Sequence, residues 1–210
     1  MKNLFVKISI AAACAGTIIM MSQCNSDKPA DRSATSAEGN KMVPEKSSAK
    51  GDSIERGKYL VAFGGCDDCH SPKTFTDKGP QPDESRRLSG HPAGDPLPKF
   101  NAKDIRPGNW YLAAPDLTAW VGPWGISYTA NLTPDSATGL GAWAPELFIK
   151  TMRSGKHMGE GRDILPPMPW YTLAGLTDED LNAIFAYLRT LKPIVNKVPV
   201  PVSPMDLSKK

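Results

Sequence analysis

Residues 66–70 read Cys66-Asp67-Asp68-Cys69-His70, and this C-x-x-C-H run occurs once in the chain. The pattern is the attachment signal for c-type haem. Its spacing follows from the chemistry. Two thiols three residues apart can each add to one vinyl group of the porphyrin, and the next imidazole is then held beneath the iron as proximal ligand. Cys66 and Cys69 are therefore expected to form thioethers, and His70 to ligate the iron. Two other uses of C-x-x-C fit less well. A zinc site needs two further thiols or imidazoles at finger-like spacing. The remaining cysteines, Cys14 and Cys24, lie in or beside an apolar leader, and His91 and His157 stand alone. A redox dithiol would follow a strand in a βαβ pattern, and none is visible.

Upstream of the motif the chain changes character twice. Met1–Lys7 is short and basic, and Ile8–Met21 is an apolar run too short to span comfortably as a mature transmembrane helix. Residues 1–23 read as a secretory signal, which places the protein on the periplasmic side. Cys24 directly follows Met21-Ser22-Gln23, a lipoprotein-type cleavage site, so Cys24 is the expected lipidation site and a membrane anchor. Cutting at Cys14 instead would leave a greasy stub. Residues 24–51 are rich in Ser, Ala, Lys, Asp, Glu and Pro, with little to bury, and are expected to form a disordered tether. Removing the signal takes away Lys2 and Lys7 and no acid, so 25 basic and 22 acidic side chains come almost into balance. That balance gives no support for a nucleic-acid partner.

The folded part is expected over 52–192, with an extended tail at 193–210. Asp52 and Glu55 have the form of a capping box for a first helix carrying Ile54, Leu60 and Val61. Gly57 inside that helix costs about 1 kcal/mol relative to alanine, which predicts close approach of another helix. Gly64-Gly65 ends it just before Cys66. Residues 71–142 are broken by prolines throughout. Residues 72–107 read as a surface excursion, and 110–131 as an aromatic-rich wrap over one edge of the haem, where short strands are an option. A second helix starts at Pro145 and buries Leu147, Phe148, Thr151 and Met152 before Gly155. A last helix is capped by Thr177 and carries the stripe Leu181, Ile184, Phe185, Leu188 and Leu191 before Lys192-Pro193 stops it. The fold class is all-α, one haem-binding helical domain with a long Pro/Gly-rich loop insertion.

An electron-transferring haem needs a sixth ligand, and a thioether is the usual partner to histidine. Met168 lies in Pro166-Pro167-Met168-Pro169, where three prolines forbid helix and hold the side chain out on a stiff loop. A methionine filling a core needs no such arrangement. Met152 reads as core filler, Met158 remains a rival ligand, and His91, in a Pro/Gly loop, reads as solvated.

Arg56-Gly57-Lys58-Tyr59-Leu60 leads into the haem motif, and Asn131-Leu132-Thr133-Pro134-Asp135, Gly139–Trp143 and Pro167-Met168-Pro169-Trp170 follow it. Together they resemble class I c-type cytochromes, in particular the larger bacterial ones associated with periplasmic dehydrogenases. The resemblance covers about 52–192. It implies a fold whose first and last helices cross near the haem edge, with Gly57 under Phe185 or Leu188. It implies Cys66, Cys69, His70 and Met168 as haem contacts, one covalent haem c, and protein redox partners, either a dehydrogenase or a terminal oxidase. The function expected is electron transfer without catalysis. The alternative is a haem protein with an open or displaceable sixth position, acting as a peroxidase-like enzyme or ligand sensor. A dithiol or metal-binding module without haem is the third reading.

Overall fold

A computed structural model describes residues 49–101, 103 and 105–207. The expected signal segment, Cys24 and the tether up to residue 48 lie outside the described residues. Helix α1 spans Ala49–Phe63 and α2 spans Cys66–His70, the haem motif itself. Two antiparallel strands follow, β1 at Lys73–Thr76 and β2 at Gly79–Pro82. Strands β3 (Leu112–Ala113), β4 (Ala119–Gly122) and β5 (Gly125–Tyr128) form a three-stranded antiparallel meander in sequence order. Helices α3 (Pro145–Ser154), α4 (Trp170–Leu173), α5 (Asp178–Leu188) and α6 (Pro204–Leu207) complete the chain.

The core is helical. Val61 of α1, Phe148 and Met152 of α3, and Leu181, Ile184, Phe185 and Leu188 of α5 are buried together, with Leu88 and Leu140 from the connecting segments. The Phe148 and Phe185 rings lie 5.3 Å apart, a favourable aromatic separation. Thr177 caps α5 as expected, accepting a hydrogen bond from the Asp180 amide at 3.1 Å. α3 begins with Pro145 in its first turn and ends at Gly155, in a left-handed conformation.

Four expectations need correction. The molecule is not all-α, because the proline-rich stretch carries the two small sheets. Their strands run four residues or fewer, too short to show a two-residue alternation, and β2 accommodates Pro80 and Pro82 because it lies at an edge. Helix α1 starts at Ala49, inside the stretch expected to be tether, so Asp52 sits in its first turn facing the positive end of the dipole rather than before it. Gly57 does lie at the crossing of α1 and α5, but under Ala183 and Tyr187. A Cβ there would fall 1.9 Å from Ala183 O and 2.9 Å from Tyr187 Cβ. The fourth is His91. It is 3 % exposed, not solvated. Asn196 of the tail donates to the carbonyls of Ser89 and His91 at 2.7 and 2.8 Å, and the His91 ring packs on Tyr128 at 4.9 Å.

The tail is tied to the rest of the fold. Ile126 and Val202 exchange both backbone hydrogen bonds at 2.9 and 3.0 Å, and Leu207 joins Val121 and Ile126 in a second, smaller core.

Candidate haem site

The motif helix is pinned from several sides. Gly64 and Gly65 close the end of α1, their amides donating to Leu60 O and Ala62 O, and Gly65 adopts a left-handed conformation that leads straight into Cys66. The Arg87 guanidinium grips Asp67 with two hydrogen bonds, 2.9 and 2.6 Å, and reaches the Tyr187 hydroxyl of α5 at 2.9 Å. That contact raises the Arg87 pKa, the hydrogen bond to Asp67 being its main cause. The Ser71 hydroxyl donates to Asp67 at 2.8 Å and accepts from the Leu88 amide at 2.8 Å.

His70 is buried at 8 % exposure, and its Nδ1 lies 2.8 Å from the carbonyl oxygen of Ala130. A carbonyl can only accept, so Nδ1 carries the proton and Nε2 keeps its lone pair. Burial pulls the imidazole below its ordinary pKa, which favours this neutral form. A hydrogen-bonded, oriented imidazole with one lone pair is what metal ligation requires. The backbone of the motif is fixed from the same side, for Gly90 donates its amide to His70 O at 2.7 Å. Only glycine fits at residue 90. Its φ is +78°, and a Cβ would meet Thr129 O at 2.5 Å.

Cys66 and Cys69 are unpaired and half-buried. Burial, then the neighbouring Asp67, pushes the Cys66 thiol up to about 11, and burial raises Cys69 too. A redox dithiol needs the opposite shift, toward thiolate. Among the described residues no cluster of three or more His, Cys, Asp or Glu forms a metal-holding set, so the zinc reading finds no further ligands there. The residues present fit a covalently attached haem: paired thiols on one helix turn and a neutral, oriented imidazole directly after them.

Met168 lines a groove of about 280 Å³ whose walls include Tyr111, Trp124, Ile164, Trp170 and Tyr171. Cys66, Cys69 and His70 are not among those walls, so the candidate site has two parts. A single stretch of chain connects them. The Ser127 hydroxyl of β5 donates to Pro166 O at 2.6 Å and accepts from Trp124 Nε1 at 3.2 Å. Three residues on, Ala130 O takes the His70 proton. Three residues span at most about 11 Å, so one strap holds His70 and the methionine loop at its two ends. Of the other candidates, Met152 is buried in the helical core, and Met158 is 50 % exposed on a tight turn at residues 157–159.

Sequence reasoning missed Ala130, Ser127, Arg87 and Lys73 as parts of this site. Ala130 acts through its carbonyl, which no side-chain pattern reveals. Arg87 and Lys73 were two basic residues among many in a stretch without periodicity.

No family model matches the chain. Over 146 residues, 70 % of this chain, it is 35 % identical to one of the subunits of nicotinate dehydrogenase from Pseudomonas putida, covering 9 % of that protein. It is 29 % identical over 134 residues to the gluconate 2-dehydrogenase cytochrome c subunit of Pantoea cypripedii, 64 % of this chain and 22 % of that one. It is 28 % identical over 152 residues to the fructose dehydrogenase cytochrome subunit of Gluconobacter japonicus, 72 % of this chain and 24 % of that one. The chain thus spans a quarter or less of the length of these relatives. It is related in sequence to the cytochrome c subunits of dehydrogenases, as its motifs suggested.

Proposed function

We propose that this chain, a relative of dehydrogenase cytochrome c subunits, is a monohaem electron carrier and not itself a catalyst. Cys66 and Cys69 would hold haem c covalently, His70 would ligate the iron from one side and Met168 from the other. When bound, the haem supplies an iron that alternates between Fe(II) and Fe(III). The protein's residues hold and tune it. A soft thioether from Met168 favours Fe(II) and lifts the potential above that of a bis-histidine pair. Filling the sixth position also keeps substrates off the metal. The expected partner is a dehydrogenase whose electrons this chain accepts, with export by residues 1–23 and a lipid anchor at Cys24 keeping it on the periplasmic side.

The observation that carries the reading is the His70 imidazole: buried, neutral, oriented by Ala130 O, and directly after two thiols on one short helix. Visible spectra recorded through a redox titration of the purified protein, with CO added to the reduced form, test it. The carrier gives low-spin spectra in both states and resists CO. A high-spin ferric spectrum with rapid CO binding would move the reading to a ligand-binding haem protein.

A further inference from the structure

We propose that Lys73 is a positioning residue for the haem-binding turn, and that its ammonium, seated on the C-terminal carbonyls of α2, keeps the reduction potential of the bound iron high. The proposal rests on the haem reading above and assigns Lys73 a place within it.

A five-residue helix leaves most of its carbonyls without a helical partner. In α2, the Gly90 amide donates to His70 O and the Ser71 amide to Asp67 O, and Lys73 adds a cation to the same end. Its Nζ donates to Asp67 O and Asp68 O, each at 3.0 Å, and to Ser71 O. Three carbonyl dipoles converge on one cation, the arrangement expected where positive charge complements the negative end of a helix. Lys73 is also the first residue of β1, and the hairpin behind it is anchored where the Asp83 amide donates to Pro72 O at 2.8 Å. The proline-rich excursion therefore delivers a fixed charge to the motif.

The charge has something to oppose. The two residues between the cysteines, Asp67 and Asp68, are both acidic. Negative charge beside the iron favours its more positive, oxidised state and lowers the potential. Arg87 compensates Asp67 through its two-pronged contact. Asp68 is exposed, and on this turn Lys73 is the cation that touches its backbone. Because Lys73 is half-buried, its field is screened less by water and salt than that of a fully exposed lysine.

The test uses the full-length, haem-loaded chain and three variants, each read by spectroelectrochemical titration. Lys73→Met keeps the stem and removes the charge, so the midpoint should move negative while both oxidation states stay low-spin. Lys73→Arg should bring the midpoint back toward wild type. Asp68→Asn removes a negative charge from the same turn and should move the midpoint positive; it keeps the proposal testable if Lys73→Met fails to load haem. An unchanged midpoint in Lys73→Met or in Asp68→Asn overturns the proposal. A negative shift that Arg does not reverse, accompanied by loss of the low-spin spectrum, overturns it in favour of a purely structural role. If wild type carries no haem, the functional reading fails as well, and the two failures are told apart by the colour of the protein.

Discussion

Removing one hydroxyl should loosen the methionine loop without touching the haem. Ser127 is 7 % exposed, and its hydroxyl links Trp124 Nε1 to the carbonyl of Pro166, two residues before Met168. In Ser127→Ala both groups lose that partner. A buried polar group left unsatisfied costs about 1–3 kcal/mol. Pro166 itself is exposed, so water relieves part of the loss and the lower end applies, about 1 kcal/mol. The penalty falls on the closed loop alone, because an opened loop hydrates the carbonyl in either protein. The open population therefore rises about fivefold. With Met168 on the iron, an external ligand can bind only when the loop opens. Stopped-flow binding of imidazole to the ferric protein, at ligand concentrations low enough that opening stays in pre-equilibrium, should then run about fivefold faster in Ser127→Ala. Equal rates in the two proteins, with the methionine–iron charge-transfer band unaltered, would refute the strap argument. Fast binding already in wild type would instead remove Met168 from the iron.

Other perturbations probe other parts of the structure. In Gly57→Ala the new Cβ would meet Ala183 O at 1.9 Å, so α1 and α5 must part. The helix-propensity gain of about 1 kcal/mol is smaller than the overpacking cost of roughly 3 kcal/mol. The Tm should fall by about 4–8 °C, and an unchanged or raised Tm contradicts the crossing. Four carboxylates sit below their ordinary range: Asp180 held by the Arg56 guanidinium, Asp83 by the Ser85 hydroxyl, Asp135 by the Thr138 hydroxyl and Glu160 by the Lys150 ammonium. A carboxylate whose pKa is lower in the folded than in the unfolded chain stabilises the fold above the unfolded value of about 4, and that contribution is lost as the pH falls through the folded value. Urea midpoints should therefore drop from about pH 5 downward; a flat profile to about pH 2 would show that these contacts carry no stability. For the anchor, Cys24→Ser should shift the protein from the membrane to the soluble periplasmic fraction, and a wild-type protein already soluble there disproves lipidation.

What could be read from the sequence divides along physical lines. The haem motif and α5 were legible because each is local: five consecutive residues in one case, a cap and an apolar stripe in the other. Gly57 announced a helix crossing, since a glycine inside a helix has few other uses, and the resemblance named the last helix as its partner, but neither gave the residues above it. Which turn of α5 faces it depends on how the helices are rotated, and that is settled by packing across more than a hundred residues of sequence. Strands within 110–131 were no more than an option and the 73–82 hairpin escaped, because these strands are short and their pairing closes through turns. His91 was misread for a similar reason. A Pro/Gly loop is ordinarily solvated, yet here Asn196, more than a hundred residues later, folds back over it. Most of the groups that hold the haem motif, Ala130 O, Gly90 N and Lys73 Nζ, act on or through the backbone, so residue type gave little sign of them.

One porphyrin is expected to be joined by thioether bonds to Cys66 and Cys69. Intact-mass spectrometry of the protein from cells competent in cytochrome c maturation, beside a Cys66→Ala/Cys69→Ala variant, tests it most directly. Wild type should gain the mass of a single haem and keep it through acid-acetone extraction, and the double variant should gain none. A wild-type mass matching the bare polypeptide, or pigment that washes out with the solvent, would contradict it.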